Sequence, residues 1–264
     1  MSMPIELVLV RHGESEGNVA NHASKRGDNS HFTHEFRSRH NSSWRLTPLG
    51  VEQAQAAGLW LKENINEGVF DGNFVSSYAR ARQTAGKLDL PEALWRVDDQ
   101  LREQEWGMLD VMTDEERWKD YPHAMRLKKI NPYYWSAQGG ENMSGVGMRL
   151  RSGIIDTLHR EYSEKTVVLV SHGNVMWSLR YMLERMLPEQ YLALGESHDP
   201  HERINNCQIL HYSRRNPETG DIEPHLNWLK SVCPWDLKRS KNTWVKIERK
   251  KFTNEELLKS VENL

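Results

Sequence analysis

Two short apolar runs stand out in the hydrophobic pattern because each ends at a histidine followed by glycine. Residues 5–10 lead into Arg11-His12-Gly13, and residues 166–171 lead into His172-Gly173. Short apolar runs that stop at polar turns are typical of buried parallel strands. Ligands of open α/β sheets lie just beyond the carboxyl ends of such strands. We therefore expect these two strands to be neighbours that bring His12 and His172 together.

Apolar residues at helical spacing alternate with these strands. One helix is predicted to begin with Thr47 as N-cap and Pro48 at its first position, and to extend to about residue 63. Further helices are predicted after a Ser76-Ser77 cap, over about 144–162 and over about 175–187. The remaining strand candidates are residues 69–75, 94–97 and 208–213, with residues 222–229 as a returning hairpin arm. This alternation predicts one α/β domain.

Three segments depart from the pattern. Residues 13–45 are polar, with little periodicity, and predict a long loop that is functional or disordered. The segment of about 108–140 is rich in charges and aromatic residues and predicts a lid or wall of short helices. The chain from about residue 236 is basic. We therefore expect a single domain over residues 1–264, with an insertion at about 21–45, that lid segment and a basic C-terminal extension.

Composition excludes several classes of protein. The formal net charge of −2 over 264 residues does not indicate a nucleic-acid binder. The two cysteines, Cys207 and Cys233, form no C-x-x-C pair, which argues against a disulfide framework or a zinc ribbon. No apolar stretch approaches the roughly 18 residues that span a membrane, and no signal peptide is evident. The expectation is a cytoplasmic protein without a membrane partner.

Two clusters invite a second interpretation. Four histidines lie in the polar segment, but their spacing matches no metal-ligand motif, so a solvated loop is the favoured interpretation: His22, His31, His34 and His40. The basic tail suggests nucleic acid or anionic lipid as a partner, against a solvated chain end as the simpler interpretation. No nucleic-acid partner is expected.

The pairing of arginine and histidine at a strand end suits phosphate chemistry. A guanidinium binds phosphate oxygens bidentately, and a neutral imidazole can act as a covalent nucleophile. The Gly13 amide beside them is positioned to donate to an oxyanion. Phosphoryl transfer needs in-line placement and positive charge around the transferred group. Arg11, Arg80 and His172 are candidates for that charge.

The departing oxygen of a phosphate ester needs a proton. Glu103 follows a predicted strand and is the candidate donor. A glutamate beside a dianionic phosphate is expected to have a raised pKa, because like charge disfavours ionisation.

Five sequence blocks, in order, resemble the histidine phosphatase superfamily, the phosphoglycerate-mutase-like group. The signature is Leu9-Val10-Arg11-His12-Gly13-Glu14-Ser15 with Asn18. The other blocks are Leu46-Thr47-Pro48-Leu49-Gly50 with Gln53-Ala54, Ser76-Ser77 with Arg80 and Gln83-Thr84-Ala85, Leu101-Arg102-Glu103 with Trp106-Gly107, and Val170-Ser171-His172-Gly173. A weaker block is Gly139-Gly140-Glu141. The resemblance spans roughly residues 5–212.

The resemblance implies a three-layer α/β/α sandwich with a mostly parallel central sheet. It implies that His12 is the residue phosphorylated and that Glu103 is first a proton donor and then a base for water. The phosphate pocket would consist of Arg11, Asn18, Arg80 and His172. No metal and no other cofactor is implied.

Departures from the glycolytic mutases favour hydrolysis. Those enzymes follow the signature serine with a Trp-Asn pair and a Phe-Thr-Gly-Trp stretch, whereas Ser15 is followed here by Glu16-Gly17-Asn18. Their acid block continues as a Tyr-Gly-Leu-Thr-Gly-like run, whereas this chain has Trp106-Gly107-Met108-Leu109-Asp110. The resulting hypothesis is a phosphomonoesterase that acts on a small phosphorylated substrate through phosphorylated His12. The alternatives are a phosphoglycerate-type mutase and an inactive module that binds a phospho-ligand or a protein.

The positive balance of the 21–45 segment carries a further prediction. Its cations are expected to hold an anionic group of the substrate beyond the transferred phosphate. The candidates are Lys25, Arg26, Arg37 and Arg39.

Overall fold

A seven-stranded sheet forms the centre of the protein. The computed structural model describes residues 2–262. The strands lie in the order β3-β2-β4-β1-β5-β6-β7. Their bounds are β1 Glu6–Arg11, β2 Gly72–Ser76, β3 Trp95–Asp98, β4 Thr166–Ser171, β5 Ile209–Ser213, β6 Trp228–Val232 and β7 Val245–Lys246.

The two strands that end at histidines are direct neighbours. β1 pairs with β4 in parallel, with Arg11 opposite Ser171, so the chain leaves both strands at the same edge of the sheet. β2 joins β4 and β3 in parallel, which gives a block of four parallel strands. β5, β6 and β7 extend the sheet by antiparallel pairing from β1 outward. The predicted pairing of the two histidine strands is confirmed.

Helices cover both faces of the sheet, which confirms the three-layer α/β/α prediction. The helices are α1 Glu16–Ser24, α2 His34–Ser38, α3 Pro48–Asn64, α4 Ala79–Leu88, α5 Asp114–Asp120, α6 Pro122–Ile130, α7 Met143–Arg149, α8 Asp156–Glu161, α9 Gly173–Glu184, α10 Pro188–Glu196 and α11 Asn254–Ser260. One face of β1 and β4 packs on α7, α8 and α9 through residues such as Leu9, Leu150 and Leu169. The other face packs on α3 and α4 through residues such as Val10 and Leu61.

The predicted helix over 144–162 is one helical run with a wide middle turn. A π-helical stretch, Leu150–Ile155, joins α7 directly to α8. Leu150 and Ile154 are buried in the sheet core, so the apolar spacing marked the packed face correctly. A spacing argument does not separate α-helical from π-helical turns over a single turn.

Three expectations about local structure are wrong. The 13–45 segment is not mainly loop, because α1, α2 and a 3₁₀ turn at Asn41–Ser43 fill most of it. Ser76-Ser77 does not cap α4, whose N-cap is Tyr78 without a side-chain hydrogen bond. Residues 222–229 are not a continuous strand: Ile222 forms an isolated bridge with Arg215, and β6 begins only at Trp228.

The C-terminal basic segment is partly integrated into the sheet. β7 pairs with β6, and Ile247 packs against the core. The Trp235 indole donates to the Asn206 carbonyl oxygen at 2.7 Å. Within residues 2–262, the helices are all too short or too polar to cross a membrane.

Candidate active site

The two histidines predicted to meet do so at the edge of the sheet. The ring centroids of His12 and His172 are 5.0 Å apart, with the rings inclined at 60°. Both side chains are buried. His12 directly follows β1, and His172 is the N-cap of α9 directly after β4, so the parallel pairing of the two strands sets this distance.

The hydrogen bonds of His12 define its tautomer. Its Nδ1 lies 2.7 Å from the Gly13 carbonyl oxygen, which can only accept, so Nδ1 carries the ring proton. The Arg80 Nε donates to His12 Nε2 at 3.2 Å. Nε2 is therefore unprotonated, and its electron pair, which accepts from the guanidinium, becomes available for attack when Arg80 turns this donor to a bound phosphate. This is the form of imidazole that can attack phosphorus.

His172 presents its other ring nitrogen. Its Nε2 lies 2.8 Å from Ser76 Oγ, and that oxygen already accepts from the Tyr78 amide at 3.3 Å. Among the described residues, the Ser76 hydroxyl has no acceptor for its proton other than His172 Nε2, so it donates to Nε2 and the ring proton of the neutral imidazole lies on Nδ1. Among the residues that the structure describes, His172 Nδ1 is buried without a hydrogen-bond partner.

Three further side chains complete the inner part of the site. The Arg80 guanidinium also donates to the Asn41 carbonyl oxygen at 2.7 Å, and Arg11 donates to that of Ile204 at 2.7 Å. Arg11 Nε is buried and, in the described part of the chain, has no partner. Asn18 Oδ1 accepts from Ser15 and from Asn206, so its amide NH₂ is the end available to a ligand.

Burial beside two arginines keeps both imidazoles neutral. The pKa of His12 lies well below its ordinary value of 6.5, first because burial disfavours the charged ring and then because of Arg80 and Arg11. The pKa of His172 is lowered well below 6.5 by the same causes, burial again the largest. At neutral pH the site therefore combines two guanidinium charges with two neutral rings.

Glu103 has the opposite shift. Burial raises its pKa, against smaller opposing effects of the Gln104 amide, Arg80 and Arg11. The Gln104 amide donates to Glu103 Oε1 at 2.9 Å. A carboxyl group that holds its proton closer to neutrality is suited to act as a general acid.

One cavity of about 250 Å³ connects these groups to solvent. Arg11, His12, Asn18, Arg80 and Glu103 line its inner part, and His172 lies behind them against His12. The rest of the lining, here called the outer part, comes from α1 and the residue after it, from the end of the 3₁₀ turn at Asn41–Ser43, and from residues 106–117: His22, Lys25, Trp44, Trp106, Asp110 and Arg117. All six predicted site residues are thus brought together.

The cations predicted to hold a second anionic group are divided by the structure. Lys25 lines the cavity, whereas Arg26 does not. Arg37 forms an ion pair with Glu116 at 2.9 Å, and Arg39 pairs with Glu16 at 3.1 Å. Those two arginines therefore hold the outer part together instead of facing the cavity, and the prediction for them is wrong.

The Gly13 amide is also not the anion donor that the sequence suggested. It donates to Thr84 Oγ1 on α4 at 3.1 Å, and Thr84 in turn donates to the Arg80 carbonyl oxygen at 2.7 Å. A Cβ atom at Gly13 would lie 2.3 Å from the Gly50 carbonyl oxygen. Glycine is needed here because the chain after β1 passes directly against the start of α3.

Sequence reasoning missed several residues that hold the site. Asn174 donates to Gln104 Oε1 at 3.0 Å, which ties the start of α9 to the Glu103 loop. Asn41 supplies the carbonyl oxygen for Arg80 from the segment expected to be loop. Asn174 could have been found, because it follows His172-Gly173 directly before a predicted helix. Asn41 has no such signal.

The chain belongs to the histidine phosphatase superfamily, branch 1, whose family model matches residues 7–202. Among curated proteins it is 33% identical over 202 residues to a 2,3-bisphosphoglycerate-dependent phosphoglycerate mutase of Sinorhizobium fredii. That alignment covers 72% of this chain and 84% of the relative.

Several solved structures of similar fold are named as phosphatases. A mycobacterial glucosyl-3-phosphoglycerate phosphatase, determined with VO₃, is 26% identical with a TM-score of 0.60, covering 79% of this chain and 92% of that one. A putative alpha-ribazole-5'-P phosphatase from Escherichia coli has a TM-score of 0.61 at 18% identity and covers 84% of this chain and 96% of that one, which supports the fold alone.

Proposed function

We propose that this protein is a phosphomonoesterase that hydrolyses a small phosphorylated substrate through a phosphohistidine on His12. The observation that carries the proposal is the state of the His12 ring. Nδ1 is fixed as a donor to Gly13, while the unprotonated Nε2 faces Arg80 inside a cavity that also holds Glu103. Nucleophile, cationic donors and acid therefore share one space that suits a single tetrahedral anion.

The first half-reaction forms the phosphoenzyme. The phosphate oxygens of the ester contact Arg11, Arg80 and the Asn18 amide at the cavity surface, and one of them reaches past this lining to the buried His172 Nδ1. The electron pair on His12 Nε2 forms a bond to phosphorus as the bond from phosphorus to the ester oxygen breaks. The Glu103 carboxyl gives its proton to that oxygen, and the alcohol leaves.

The second half-reaction restores the enzyme. The Glu103 carboxylate takes a proton from a water molecule whose oxygen attacks phosphorus. The bond from phosphorus to nitrogen breaks, and its electron pair returns to His12 Nε2. Inorganic phosphate leaves with Glu103 protonated and His12 neutral, as before the reaction.

The second candidate is a mutase, because the curated relatives at about one third identity are phosphoglycerate mutases. A mutase would return the phosphoryl group from His12 to another hydroxyl of the substrate instead of to water. The phosphatase is favoured because the mutase-like stretches after Ser15 and after Trp106 are missing from this sequence.

One experiment separates the two candidates. The purified protein is incubated with 3-phosphoglycerate and with 4-nitrophenyl phosphate, with and without 2,3-bisphosphoglycerate. Release of inorganic phosphate that does not need the bisphosphate supports the phosphatase. Formation of 2-phosphoglycerate that depends on the bisphosphate would identify a mutase, and absence of any turnover would contradict both.

A further inference from the structure

The loop that carries Glu103 has little regular structure of its own. A 3₁₀ turn covers Asp99–Leu101, and no helix or strand follows until the 3₁₀ turn at Gly107–Leu109. Backbone carbonyl groups in such a stretch need hydrogen-bond partners from elsewhere when they are shielded from water. We call residues 100–105 the acid loop.

A single arginine supplies partners to three of these carbonyls. Arg149, the last residue of α7, donates to the carbonyl oxygens of Gln100, of Arg102 at 2.9 Å and of Glu103 at 3.3 Å. Its side chain is only 9% exposed. The guanidinium therefore fixes the backbone on both sides of the carboxyl-bearing residue.

Glu141 fixes the arginine and the far end of the same loop. Its carboxylate accepts from Arg149 Nε at 2.9 Å and from Arg149 Nη2 at 3.0 Å. It also accepts from Arg102 at 2.8 Å. The backbone of Glu141 donates to the Glu105 carbonyl oxygen at 2.8 Å and accepts from the Gln104 side chain at 2.8 Å.

The helical run that begins with α7 packs closely against the acid loop. The π-helical stretch begins directly after Arg149, and Gly153 within it packs against the Gln100 side chain, where a Cβ atom would lie 2.6 Å from Cγ. π-Helical turns occur often at functional sites. Because Gly153 has no side chain, the π-helical stretch packs closely against the acid loop. Arg149, directly before this stretch, is thereby close enough to donate to all three carbonyls.

We propose that Glu141 and Arg149 are positioning residues that hold the Glu103 carboxyl at the cavity. Neither side chain lines the cavity, so they act through the backbone of the acid loop. The proposal rests on the proposed function of Glu103 as the acid. Its signature is selectivity for the leaving group, because a nitrophenolate departs without a proton whereas an alkoxide requires one.

The test compares kcat/KM for benzyl phosphate and for 4-nitrophenyl phosphate in Arg149→Met and Glu141→Gln. This parameter reports the steps up to departure of the alcohol or phenol. In Arg149→Met, we expect a loss of about tenfold or more on benzyl phosphate and less than about threefold on 4-nitrophenyl phosphate. Glu141→Gln should show the same selectivity with a smaller loss, since the amide keeps one acceptor. Glu103→Gln should show the largest selectivity of all.

The matched control is Arg180→Met on α9. Arg180 is a buried arginine bonded to Glu184 at two points, 2.8 and 3.2 Å, away from the acid loop. It should destabilise the fold without changing the ratio of the two kcat/KM values. Equal losses on both substrates in Arg149→Met, as expected for a merely structural role, would overturn the proposal.

A second measurement needs no turnover. Carboxyl-carbon NMR, with Glu103→Gln for assignment, follows the titration of Glu103 in the free protein. In both Arg149→Met and Glu141→Gln, the raised pKa should fall toward its ordinary value as the loop opens to water. An unchanged pKa would overturn the positioning role even if the protein hydrolysed no ester, so failure of this inference and failure of the proposed function are distinguishable.

Discussion

The inner and outer parts of the cavity are built in different ways. The inner part combines neutral rings with donors that have no partner among residues 2–262, at the ends of β1 and β4, where sheet pairing fixes the backbone. The outer part uses side chains from α1 and from residues 106–117, and ion pairs such as Arg37 with Glu116 hold that part together. The catalytic step needs the fixed geometry of the inner part. The side chains of the outer part are free to differ without disturbing that geometry, and they are the ones suited to select the substrate.

The largest expected effect lies in the inner part. His12→Ala removes the nucleophile and should lower kcat/KM for 4-nitrophenyl phosphate about 10⁴-fold or more, as measured by nitrophenolate release. His31→Ala, an exposed histidine outside the cavity, is the control and should keep full activity. The wild-type protein should also hold an acid-labile, base-stable phosphoryl group that His12→Ala lacks. Full activity in His12→Ala would refute the phosphohistidine.

The next effect concerns the acid. Glu103→Gln removes the transferable proton and should lower kcat/KM for benzyl phosphate about 100-fold. In the wild type, kcat/KM for benzyl phosphate should fall as pH rises through the raised pKa of Glu103, because only the protonated carboxyl can act as the acid. That alkaline limb should be absent in Glu103→Gln and weak with 4-nitrophenyl phosphate. An alkaline limb that persists in the variant would assign the acid to another group.

The difference between the inner and outer parts of the cavity also explains which site residues the sequence could predict. His12 and His172 each follow an apolar run, which is a local pattern that predicts a strand. Parallel strands have their carboxyl ends at one edge of a sheet, so the meeting of the two rings was predictable. Asn41 supplies a backbone carbonyl oxygen to Arg80, and Arg149 donates to carbonyl oxygens of the acid loop. Such contacts depend on loop geometry, which leaves no periodic pattern in the sequence. The sequence of the 13–45 segment predicts a loop because the apolar positions of α1 are small, such as Ala20 and Ala23, and give a weak pattern.

A third effect concerns stability and belongs to the inner histidines. His12 and His172 have lowered pKa values in the folded protein, so below pH 6.5 the unfolded chain binds more protons than the folded one. Stability should therefore decrease as pH falls below about 7, and the slope should approach about 1.4 kcal/mol per pH unit for each histidine well below pH 6.5. Urea unfolding between pH 5 and pH 8 measures this slope.

The control for the stability prediction compares one histidine of the inner part with one exposed histidine outside the cavity. His172→Gln should reduce the slope by one histidine's contribution, because the unfolded variant gains one proton fewer. His34→Gln, on the exposed start of α2, should leave the slope as it is. A slope that does not change in His172→Gln would show that the inner rings are not the groups kept neutral by folding.

The smallest expected effect tests the outer part of the cavity. Lys25 and Arg26 are adjacent and both exposed, yet only Lys25 lines the cavity. Lys25→Met should raise KM roughly threefold to fivefold for a phosphate ester with a second anionic group, such as 3-phosphoglycerate, because an exposed charge pair contributes up to about 1 kcal/mol. KM for 4-nitrophenyl phosphate should change little, since that ester has no second anion.

Arg26→Met is the matched control, because it removes the same charge one residue away from the cavity. If Lys25 acts by contact with the substrate, only Lys25→Met should discriminate between the two esters, and added salt should reduce the difference. If the two variants raise KM equally and for both esters, the cause is the overall electrostatic attraction of the positively charged surface and not a contact of Lys25 with the substrate. The outer part would then select substrates by shape, through Trp44 and Trp106, and not by charge.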